Sequence, residues 1–328
     1  MEKQNDMLLR VKDLRVYYTA GGEIINAVNG VDLEVRRGET LGLVGETGAG
    51  KTTIAKSIMR ILPDPPAKIG GGEIYLDGQE LLHLPEKKMR EIRGKKISMI
   101  FQDPMTALNP VFTVGEQIEE VIMLHEKVNK GEAAVKARQM LELVGIPGDR
   151  SGDYPHQFSG GMKQRVVIAM ALACSPELIL ADEPTTALDV TIQAQILDMI
   201  KALKEKQNTS MILITHDLGV VAEVCERVAV VYAGEIIEYG TKEEIFDYPA
   251  HPYTVGLFGS IPKIHEDVEW LDSIPGMPPN PADLPSGCHF HPRCSKCTQP
   301  CGEKAPEMVE VRRGHFVRCL NCTEKKES

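Results

Sequence analysis

The stretch Gly45-Glu46-Thr47-Gly48-Ala49-Gly50-Lys51-Thr52 fits the pattern G-x-x-x-x-G-K-[ST] of a phosphate-binding loop. Glycines at these places let successive backbone N–H groups point into one concavity, which suits phosphate oxygens. The Lys51 ammonium can reach the β- and γ-phosphates of a nucleotide, and the Thr52 hydroxyl can bind Mg²⁺. The stretch therefore predicts a site for a nucleotide and its magnesium ion.

The residues around this loop fit the same interpretation. Thr40 to Val44 is an apolar run typical of a buried strand, and Lys51 to Leu62 has the pattern of a helix stopped by Pro63. The helix N-terminus then faces the bound phosphates, where its dipole and unpaired N–H groups favour negative charge. A chance glycine-rich turn is the competing explanation, and the strand before and helix after argue against it.

Length and charge exclude several classes of protein. The 328 residues allow one to three domains, and a net charge of −10 argues against a broad nucleic-acid-binding surface, which would be basic. No apolar run approaches the roughly 18 residues that a membrane-spanning helix needs. The first six residues have no apolar core of a signal peptide. We therefore expect a soluble, cytoplasmic protein that does not bind nucleic acid.

Residues before and after the loop predict an α/β sheet with polar residues at strand ends. Leu8 to Val16 and Ile24 to Val35 alternate as antiparallel strands do. Tyr17 and Tyr18 lie between these strands, where an aromatic face either stacks on adenine or packs in the sheet. Ile97 to Phe101 predicts a buried strand ending at Gln102, and ligands bind at the ends of such parallel strands.

Downstream segments add further candidates for phosphate chemistry. Ser159 caps a glycine-rich helix start, which is either an ordinary capped helix or a second anion site. Asp182 and Glu183 end an apolar strand, where Asp182 can hold Mg²⁺ through water and Glu183 can polarise the attacking water. His216 follows the strand Met211 to Thr215 and is a candidate phosphate contact.

In order along the chain, these motifs resemble those of the ATP-binding subunit of ABC transporters. The resemblance runs from Leu8 to about Gly240 and matches Tyr18, with Tyr17 as the alternative, to the aromatic residue that stacks on adenine. The other matching motifs are the Q-loop Gln102, the signature Phe158-Ser159-Gly160-Gly161-Met162, the acidic strand Leu178–Glu183, the D-loop Ala187-Leu188-Asp189 and the switch His216.

The resemblance implies an α/β fold, an ABC-type phosphate-loop ATPase core with an antiparallel β-subdomain. It places the core in residues 1–103 and 175–240, an inserted helical signature subdomain in 104–174 and a small cysteine-rich C-terminal extension in 241–328. Pro262 to Pro306 is rich in proline and contains four of the six clustered cysteines, which predicts a separate small module there. Two ATPase subunits would face head to tail. Each ATP and its Mg²⁺ would lie between the phosphate loop of one subunit and the signature of the other.

Site residues follow from the same resemblance. The catalytic residues are Glu183, His216 and Gln102, and the Mg²⁺ ligands are Thr52, Gln102 and Asp182. The residues assigned to nucleotide binding are Tyr18, Gly45, Glu46, Thr47, Gly48, Ala49, Gly50, Lys51, Thr52, Thr53, Asp182, Ser159, Gly160 and Gly161. Met105, Leu108, Pro110 and Phe112 either contact membrane subunits or pack in the core.

Two further stretches resemble one branch of this family, the peptide importers. His251-Pro252-Tyr253-Thr254 with Ser260-Ile261-Pro262 resembles the C-terminal extension of those ATPases. Met162, in place of the usual glutamine, and Thr185–Val190 resemble the D-type subunit of dipeptide and oligopeptide systems. This implies an F-type partner ATPase, two membrane permeases and, indirectly, an extracytoplasmic solute-binding protein, with the chain peripheral on the cytoplasmic face of the membrane.

Other functions stay open at this point. The same mechanism could move nickel or another small solute, since ATPase subunits do not contact the cargo. A soluble, non-transport ABC ATPase is a rival, although Gln102 and Ser159 are too near in sequence for the long coiled coil of DNA-repair members. An iron-sulfur redox or sensor protein on a nucleotide fold is another, although the hydrolytic motifs are complete.

Six cysteines crowd between Cys288 and Cys322, and a reducing compartment favours metal binding over disulfides. Cys294-x2-Cys297 and Cys319-x2-Cys322 form one zinc-ribbon set, but 21 residues separate the pairs, beyond the usual span of about 15–20. By resemblance the favoured set is Cys288, Cys294, Cys301 and Cys319, binding a 4Fe–4S cluster that stabilises the module. A third interpretation is that the thiols bind no metal. If a metal is bound, ATP binding is expected to survive its loss.

Overall fold

The computed structural model describes residues 6–186, 189–259 and 274–322, without the side chains of residues 190 and 205. Ala187 and Leu188 of the predicted D-loop, the Ser260-Ile261-Pro262 stretch and the tail after Cys322 lie outside the described residues. No helix among the described residues is both long and apolar enough to cross a membrane.

Twelve strands are described, and we number them in chain order. They are β1 Met7–Ala20, β2 Glu23–Arg36, β3 Thr40–Val44, β4 Ala67–Leu76, β5 Gln79–Glu80, β6 Ile97–Ile100, β7 Leu178–Asp182, β8 Ser210–Ile214, β9 Arg227–Tyr232, β10 Glu235–Thr241, β11 Val309–Arg312 and β12 His315–Val317. The predicted strands around the phosphate loop are all present.

Eleven α-helices are described and numbered in the same way. They are α1 Lys51–Met59, α2 Glu86–Ile92, α3 Pro104–Ala107, α4 Val114–His125, α5 Lys130–Leu143, α6 Gly160–Leu172, α7 Val190–Gln207, α8 Leu218–Val224, α9 Lys242–Asp247, α10 Pro252–Gly259 and α11 Gln299–Glu303. Helix α1 ends three residues before the predicted stop, because Arg60 adopts a left-handed conformation with φ +52°.

The described chain forms two compact units, which we call unit 1 and unit 2. Unit 1 comprises residues 6–8, 35–40 and 83–214, and unit 2 comprises residues 9–34, 41–82 and 215–322. The predicted boundaries 1–103 with 175–240, 104–174 and 241–328 follow the subdomains of the family instead. These boundaries stay a prediction, because the division into two compact units does not test them.

Unit 1 contains a parallel sheet in which β7 lies between β6 and β8. Ile97 pairs with Leu178, and Leu178 pairs with Ser210. All residues of the three strands are buried, which explains their nearly continuous apolar sequence. Helices α4 and α5 of this unit each begin at a capping box, formed by Thr113 with Glu116 and by Asn129 with Glu132.

Unit 2 contains a second sheet in the order β2-β1-β4-β5, in which β1 and β4 are antiparallel. In the same unit β3 runs parallel to β9, and β9 and β10 form a hairpin. This hairpin turns at Ala233 and Gly234, whose φ values of +48° and +77° are the positive values that a tight two-residue turn needs.

The described part of the C-terminal extension, residues 241–259 and 274–322, packs on the strands of unit 2. Strand β12 pairs with β10, and the ring of Phe290 contacts Tyr232, Tyr253 and His251 at centroid distances of 5.2, 5.5 and 5.6 Å. The buried Glu238 of β10 accepts hydrogen bonds from the backbone N–H of His251 at 2.9 Å. The expectation of a separate module is therefore wrong for the described part of the extension, which shares the core of unit 2.

Candidate functional site

The phosphate-binding loop of unit 2 lies against the backbone of two neighbouring strands. Gly45 has φ +147°, and a Cβ atom there would come within 2.2 Å of the Val231 carbonyl oxygen. Gly50 has φ +104°, and its Cβ would come within 2.5 Å of the Ala27 carbonyl oxygen. A side chain at either position would clash with backbone, so both glycines are needed for the loop to curl at this place.

Lys51 begins helix α1 and folds back over the loop. Its Nζ atom donates to the carbonyl oxygens of Gly45 at 2.7 Å and Glu46 at 2.9 Å. The side chain is thereby buried at the loop, in the position from which an ammonium can meet phosphate oxygens. The loop residues Thr47 and Gly48 are exposed, while Ala49 is buried.

The two tyrosines of β1 face different neighbours. The Tyr18 hydroxyl lies 3.3 Å from the Thr53 hydroxyl on α1, the helix that follows the loop. Tyr17 instead packs on β4, where a Cβ at Gly70 would meet its ring at 3.1 Å. This geometry favours Tyr18 over Tyr17 as the aromatic residue beside a nucleotide, and it brings Thr53 next to it.

Two residues of the extension contact the loop from its other side, and the sequence does not reveal them. The Glu46 backbone N–H donates to the Tyr253 hydroxyl at 2.9 Å. The Arg293 guanidinium donates to both carboxylate oxygens of Glu46, at 2.7 and 3.0 Å. Nothing in the local sequence links Arg293 to a residue 247 positions earlier.

Unit 1 brings two of the predicted catalytic residues together at the end of its sheet. The Gln102 amide donates to the Glu183 carboxylate at 2.7 Å, and the Thr186 hydroxyl donates to the same oxygen at 2.9 Å. Glu183 has φ +46°, a conformation in which its backbone N–H still donates to the Ile214 carbonyl at 2.8 Å. Asp182 ends β7 and is buried. The carboxylate of Glu183 is therefore held in place by two donors.

The signature also belongs to unit 1. Ser159 is the N-cap of α6, and its hydroxyl accepts from the Met162 N–H at 3.4 Å, as predicted. Gly161 lies so close to α7 that a Cβ would be 2.8 Å from the Ile192 side chain. Beside this helix start is a cavity of about 500 Å³, lined by Ser159, Gly160, Gly161, Met162, Arg165, Asp189 and Ile192. A glycine-rich helix N-terminus opening into a cavity is suited to an anion.

His216 lies in unit 2, directly after β8, and its side chain is exposed. The phosphate loop and Tyr18 are in this same unit, whereas Gln102, Asp182, Glu183 and the signature are in unit 1. The predicted site residues thus form two groups, one in each unit.

The apolar segment after Gln102 is mixed in exposure. Met105 and Phe112 expose 62% and 49% of their surface, and Pro110 is also exposed. Leu108 is only 4% exposed and belongs to the core. Of these four residues only Leu108 packs in the core. Met105, Pro110 and Phe112 form an exposed apolar surface on unit 1.

The cysteines of the extension lie near one another. The Cys288 N–H donates to the Cys301 carbonyl at 2.8 Å. Burial raises the pKa of the Cys288 thiol to about 11, with smaller contributions from the charges of Cys319, Cys301 and Cys294. A hydrogen bond from Cys322 lowers the pKa of Cys319 to about 6. Among the described residues, no group of three or more His, Cys, Asp or Glu side chains is arranged to hold a metal ion.

Comparison with known proteins decides the family. Residues 28–186 match the ABC transporter family, and residues 237–301 match the C-terminal region of oligopeptide/dipeptide transporters. The oligopeptide transport ATP-binding protein OppD of Bacillus subtilis is 52% identical over 314 residues, which cover 95% of this chain and 88% of that protein. The chain belongs to the ABC transporter family.

Other relatives of this ABC protein agree with the assignment. The dipeptide transport ATP-binding protein DppD of Bacillus subtilis is 50% identical, with 96% of this chain and 94% of that protein covered. OppD of Escherichia coli is 47% identical, with 99% and 96% covered. A solved dimer of the ATP-binding cassette MJ0796, in a post-hydrolysis state bound to ADP and Pi, has TM-score 0.65 and 30% identity, and covers 71% of this chain and 98% of that one.

Proposed function

We propose that this chain is the ATP-hydrolysing subunit of an importer of dipeptides or oligopeptides, acting on the cytoplasmic face of the cell membrane. The observation that carries the proposal is identity of 50% or more with OppD and DppD of Bacillus subtilis over at least 95% of the chain. The match of residues 237–301 to the peptide-transporter C-terminal region supports the same branch of the family.

The predicted site residues of unit 2 and of unit 1 suit ATP and Mg²⁺. Lys51 and the backbone N–H groups of Gly45–Thr52 would hold the phosphates, with Tyr18 beside the adenine. Thr52, Gln102 and Asp182 would hold the Mg²⁺, which supplies charge neutralisation between the phosphates. Glu183 would accept a proton from the attacking water, while its hydrogen bonds from Gln102 and Thr186 orient the carboxylate. His216 would contact the γ-phosphate.

ATP would close a head-to-tail dimer. The signature helix start has N–H groups beside a cavity of about 500 Å³, yet the described chain has one phosphate loop, so the γ-phosphate it meets would belong to another subunit. The dimeric state of the MJ0796 cassette supports this arrangement. Binding would add the attraction that closes the dimer, and hydrolysis would remove it.

The partners would be an F-type ATPase subunit, two permeases and, indirectly, a solute-binding protein. The exposed Met105 and Phe112 offer the permeases an apolar surface. The test is reconstitution with the permeases and a screen of peptides against nickel chelates. Uptake of peptides that depends on ATP supports the proposal, whereas uptake of a nickel chelate but no peptide would move the chain to another solute.

We further propose that Cys288, Cys294, Cys301 and Cys319 bind a 4Fe–4S cluster. The donor chemistry supports this, since four thiolates are what such a cluster requires, and the Cys288 N–H donates to the Cys301 carbonyl at 2.8 Å. Zinc bound to Cys294, Cys297, Cys319 and Cys322 is the alternative. Either metal would stabilise an extension whose own core is small.

Anaerobic purification and metal analysis separate the two metal sites. The cluster predicts a brown protein that keeps its iron when Cys297 or Cys322 is replaced by Ser and loses it when Cys288 or Cys301 is replaced. A colourless protein with one zinc, lost on Cys297→Ser but kept in Cys288→Ser, would establish the ribbon instead.

A further inference from the structure

We propose that Arg293 and Tyr253 of the C-terminal extension are positioning residues for ATP, because they hold the phosphate-binding loop through Glu46. The inference rests on the proposed ATP binding at this loop and adds a role for the extension in it. All the residues involved belong to unit 2.

Three groups of Glu46 form hydrogen bonds. Its backbone N–H donates to the Tyr253 hydroxyl at 2.9 Å, and its carboxylate accepts two hydrogen bonds from Arg293 at 2.7 and 3.0 Å. Its carbonyl oxygen accepts from Lys51 Nζ at 2.9 Å. The same residue is therefore tied to the extension on one side and to the phosphate-binding lysine on the other, so a displacement of Glu46 would reach Lys51 directly.

Burial and hydrogen bonds fix the orientation of the Arg293 guanidinium. Its side chain is only 6% exposed, and its Nε atom donates to the Pro275 carbonyl at 2.9 Å, which fixes the plane of the guanidinium. Its remaining N–H groups reach Glu46 as a bidentate pair and Tyr232 at 3.4 Å. A bidentate pair fixes direction as well as distance, which a lysine ammonium cannot do.

Tyr253 is equally immobile. It is completely buried, its ring packs against Tyr232 at 4.7 Å and Phe290 at 5.5 Å, and its backbone N–H donates to Nδ1 of His251 at 3.0 Å. Its hydroxyl is therefore a fixed acceptor for the Glu46 N–H.

Electrostatics give the Arg293 contact a second effect. Glu46 is a carboxylate inside a loop that receives a polyanion, and an unpaired carboxylate at this place would repel the phosphates. The buried guanidinium neutralises the carboxylate and keeps it turned toward the extension. Removing Arg293 alone would leave a partly buried charge without its partner, which is the costly way to break such a pair.

The extension also lines the outer side of the loop. A cavity of about 210 Å³ lies between loop residues Glu46–Ala49 and the prolines 278, 279 and 281. The Pro281 carbonyl accepts a hydrogen bond from the Asn26 N–H at 2.9 Å, which anchors this proline segment to β2. The extension thus borders a space beside the loop in addition to contacting the loop at Glu46.

The test measures binding of a non-hydrolysable ATP analogue and thermal unfolding without nucleotide, on the full chain. Four variants are compared: Arg293→Met, Glu46→Gln, the double variant and Arg318→Met. Arg318 is the matched control, since it also lies in the extension but donates to the carbonyls of Ile236 and Pro306, away from the loop.

We expect Arg293→Met to weaken analogue binding about tenfold. Glu46→Gln in the same chain should restore only the part of that loss that comes from the unpaired carboxylate, because the two hydrogen bonds that position the loop are still missing. Arg318→Met should lower the unfolding temperature without changing affinity. Unchanged affinity in folded Arg293→Met, or an equal loss in Arg318→Met, would each overturn the inference. Full recovery in the double variant would also overturn it, because affinity would then depend on the charge of Glu46 alone.

The wild-type chain separates this inference from the proposed function. If the wild-type chain binds no analogue, the proposed ATP site is wrong. If it binds the analogue and Lys51→Ala weakens binding while Arg293→Met does not, only the role of the extension is wrong.

Discussion

The phosphate-binding loop of unit 2 and the signature of unit 1 both present backbone N–H groups at a helix start, but they are held differently. Glu46 of the loop is held by Tyr253 and Arg293, which lie 207 and 247 positions later. Ser159 of the signature caps its own helix three residues away, beside a cavity of about 500 Å³. The loop is therefore supported by distant parts of the same chain, whereas in the proposed dimer the signature would meet the γ-phosphate bound by another subunit.

The largest effect should come from Glu183→Gln. An amide keeps the hydrogen-bonding shape but cannot accept the proton of water, so hydrolysis should fall by about 10³-fold, within the range for loss of a general base. ATP binding should persist and lock the dimer closed. Steady-state hydrolysis with the partner present and nucleotide retention on gel filtration measure both effects. Hydrolysis at the wild-type rate would remove Glu183 from the chemistry.

The second prediction concerns His251, which accepts a hydrogen bond from Tyr253, and the pH dependence of stability. Burial lowers its pKa from 6.5 to about 4, with Glu238 opposing the shift. Because the pKa of His251 is lower in the folded state, its contribution to the free energy of unfolding is fully present above pH 6.5. That contribution is lost as the pH falls from 6.5 to 4, an effect of about 3 kcal/mol. His251→Asn keeps an acceptor for the Tyr253 N–H but cannot take up a proton. Urea unfolding from pH 7 to 4 should therefore be less pH-dependent in the variant, and equal slopes would contradict the assignment.

Lys51→Ala addresses the loop itself. It removes charge-assisted hydrogen bonds to phosphate, each worth about 1.5–3 kcal/mol, so ATP affinity should fall by about 10- to 100-fold. The isolated chain should show this loss without any partner, because the loop is complete within it. Titration of a fluorescent ATP analogue measures it, and unchanged affinity would leave the loop without a role in binding.

Gly161→Ala should have the smallest effect and sharpen the comparison most. The added methyl would meet Ile192 at 2.8 Å and displace the signature helix. Analogue binding by the isolated chain should be unaffected, while partner-stimulated hydrolysis falls by roughly tenfold, about 1.4 kcal/mol. Gly152→Ala in the same unit is the control, since nothing lies within 4 Å of its Cβ position. A loss of analogue binding in the isolated chain would contradict the proposal that the signature acts only on ATP bound by another subunit.

Much of this was predictable because the signals are local. The phosphate loop, the strand before it, the Ser159 cap and the hairpin turn at Ala233-Gly234 depend on residues within a few positions of one another. The hydrogen bond between Gln102 and Glu183 was less direct to predict, yet the rule that parallel strand ends share one edge made their proximity expected.

Contacts between distant residues were not predictable. No periodicity or turn signal connects Glu46 to Arg293, and the proline-rich sequence suggested a separate module where the structure packs Phe290 and Tyr253 into the core. The contact with Glu46 also argues against the expectation that ATP binding is independent of the extension. Cys301→Ser, which would disturb the extension, is now expected to weaken ATP binding as well.

The composite ATP site is tested most directly by measuring ATP turnover in two preparations. One is the isolated chain, and the other is the same chain reconstituted with its permeases and a partner ATPase. We expect the isolated chain to bind ATP but to turn it over slowly, and the complete assembly to raise turnover well above that rate. Glu183→Gln in the assembly should remove the increase attributable to this chain. Full turnover by a strictly monomeric preparation would contradict the composite site, because the chain would then need no signature from another subunit.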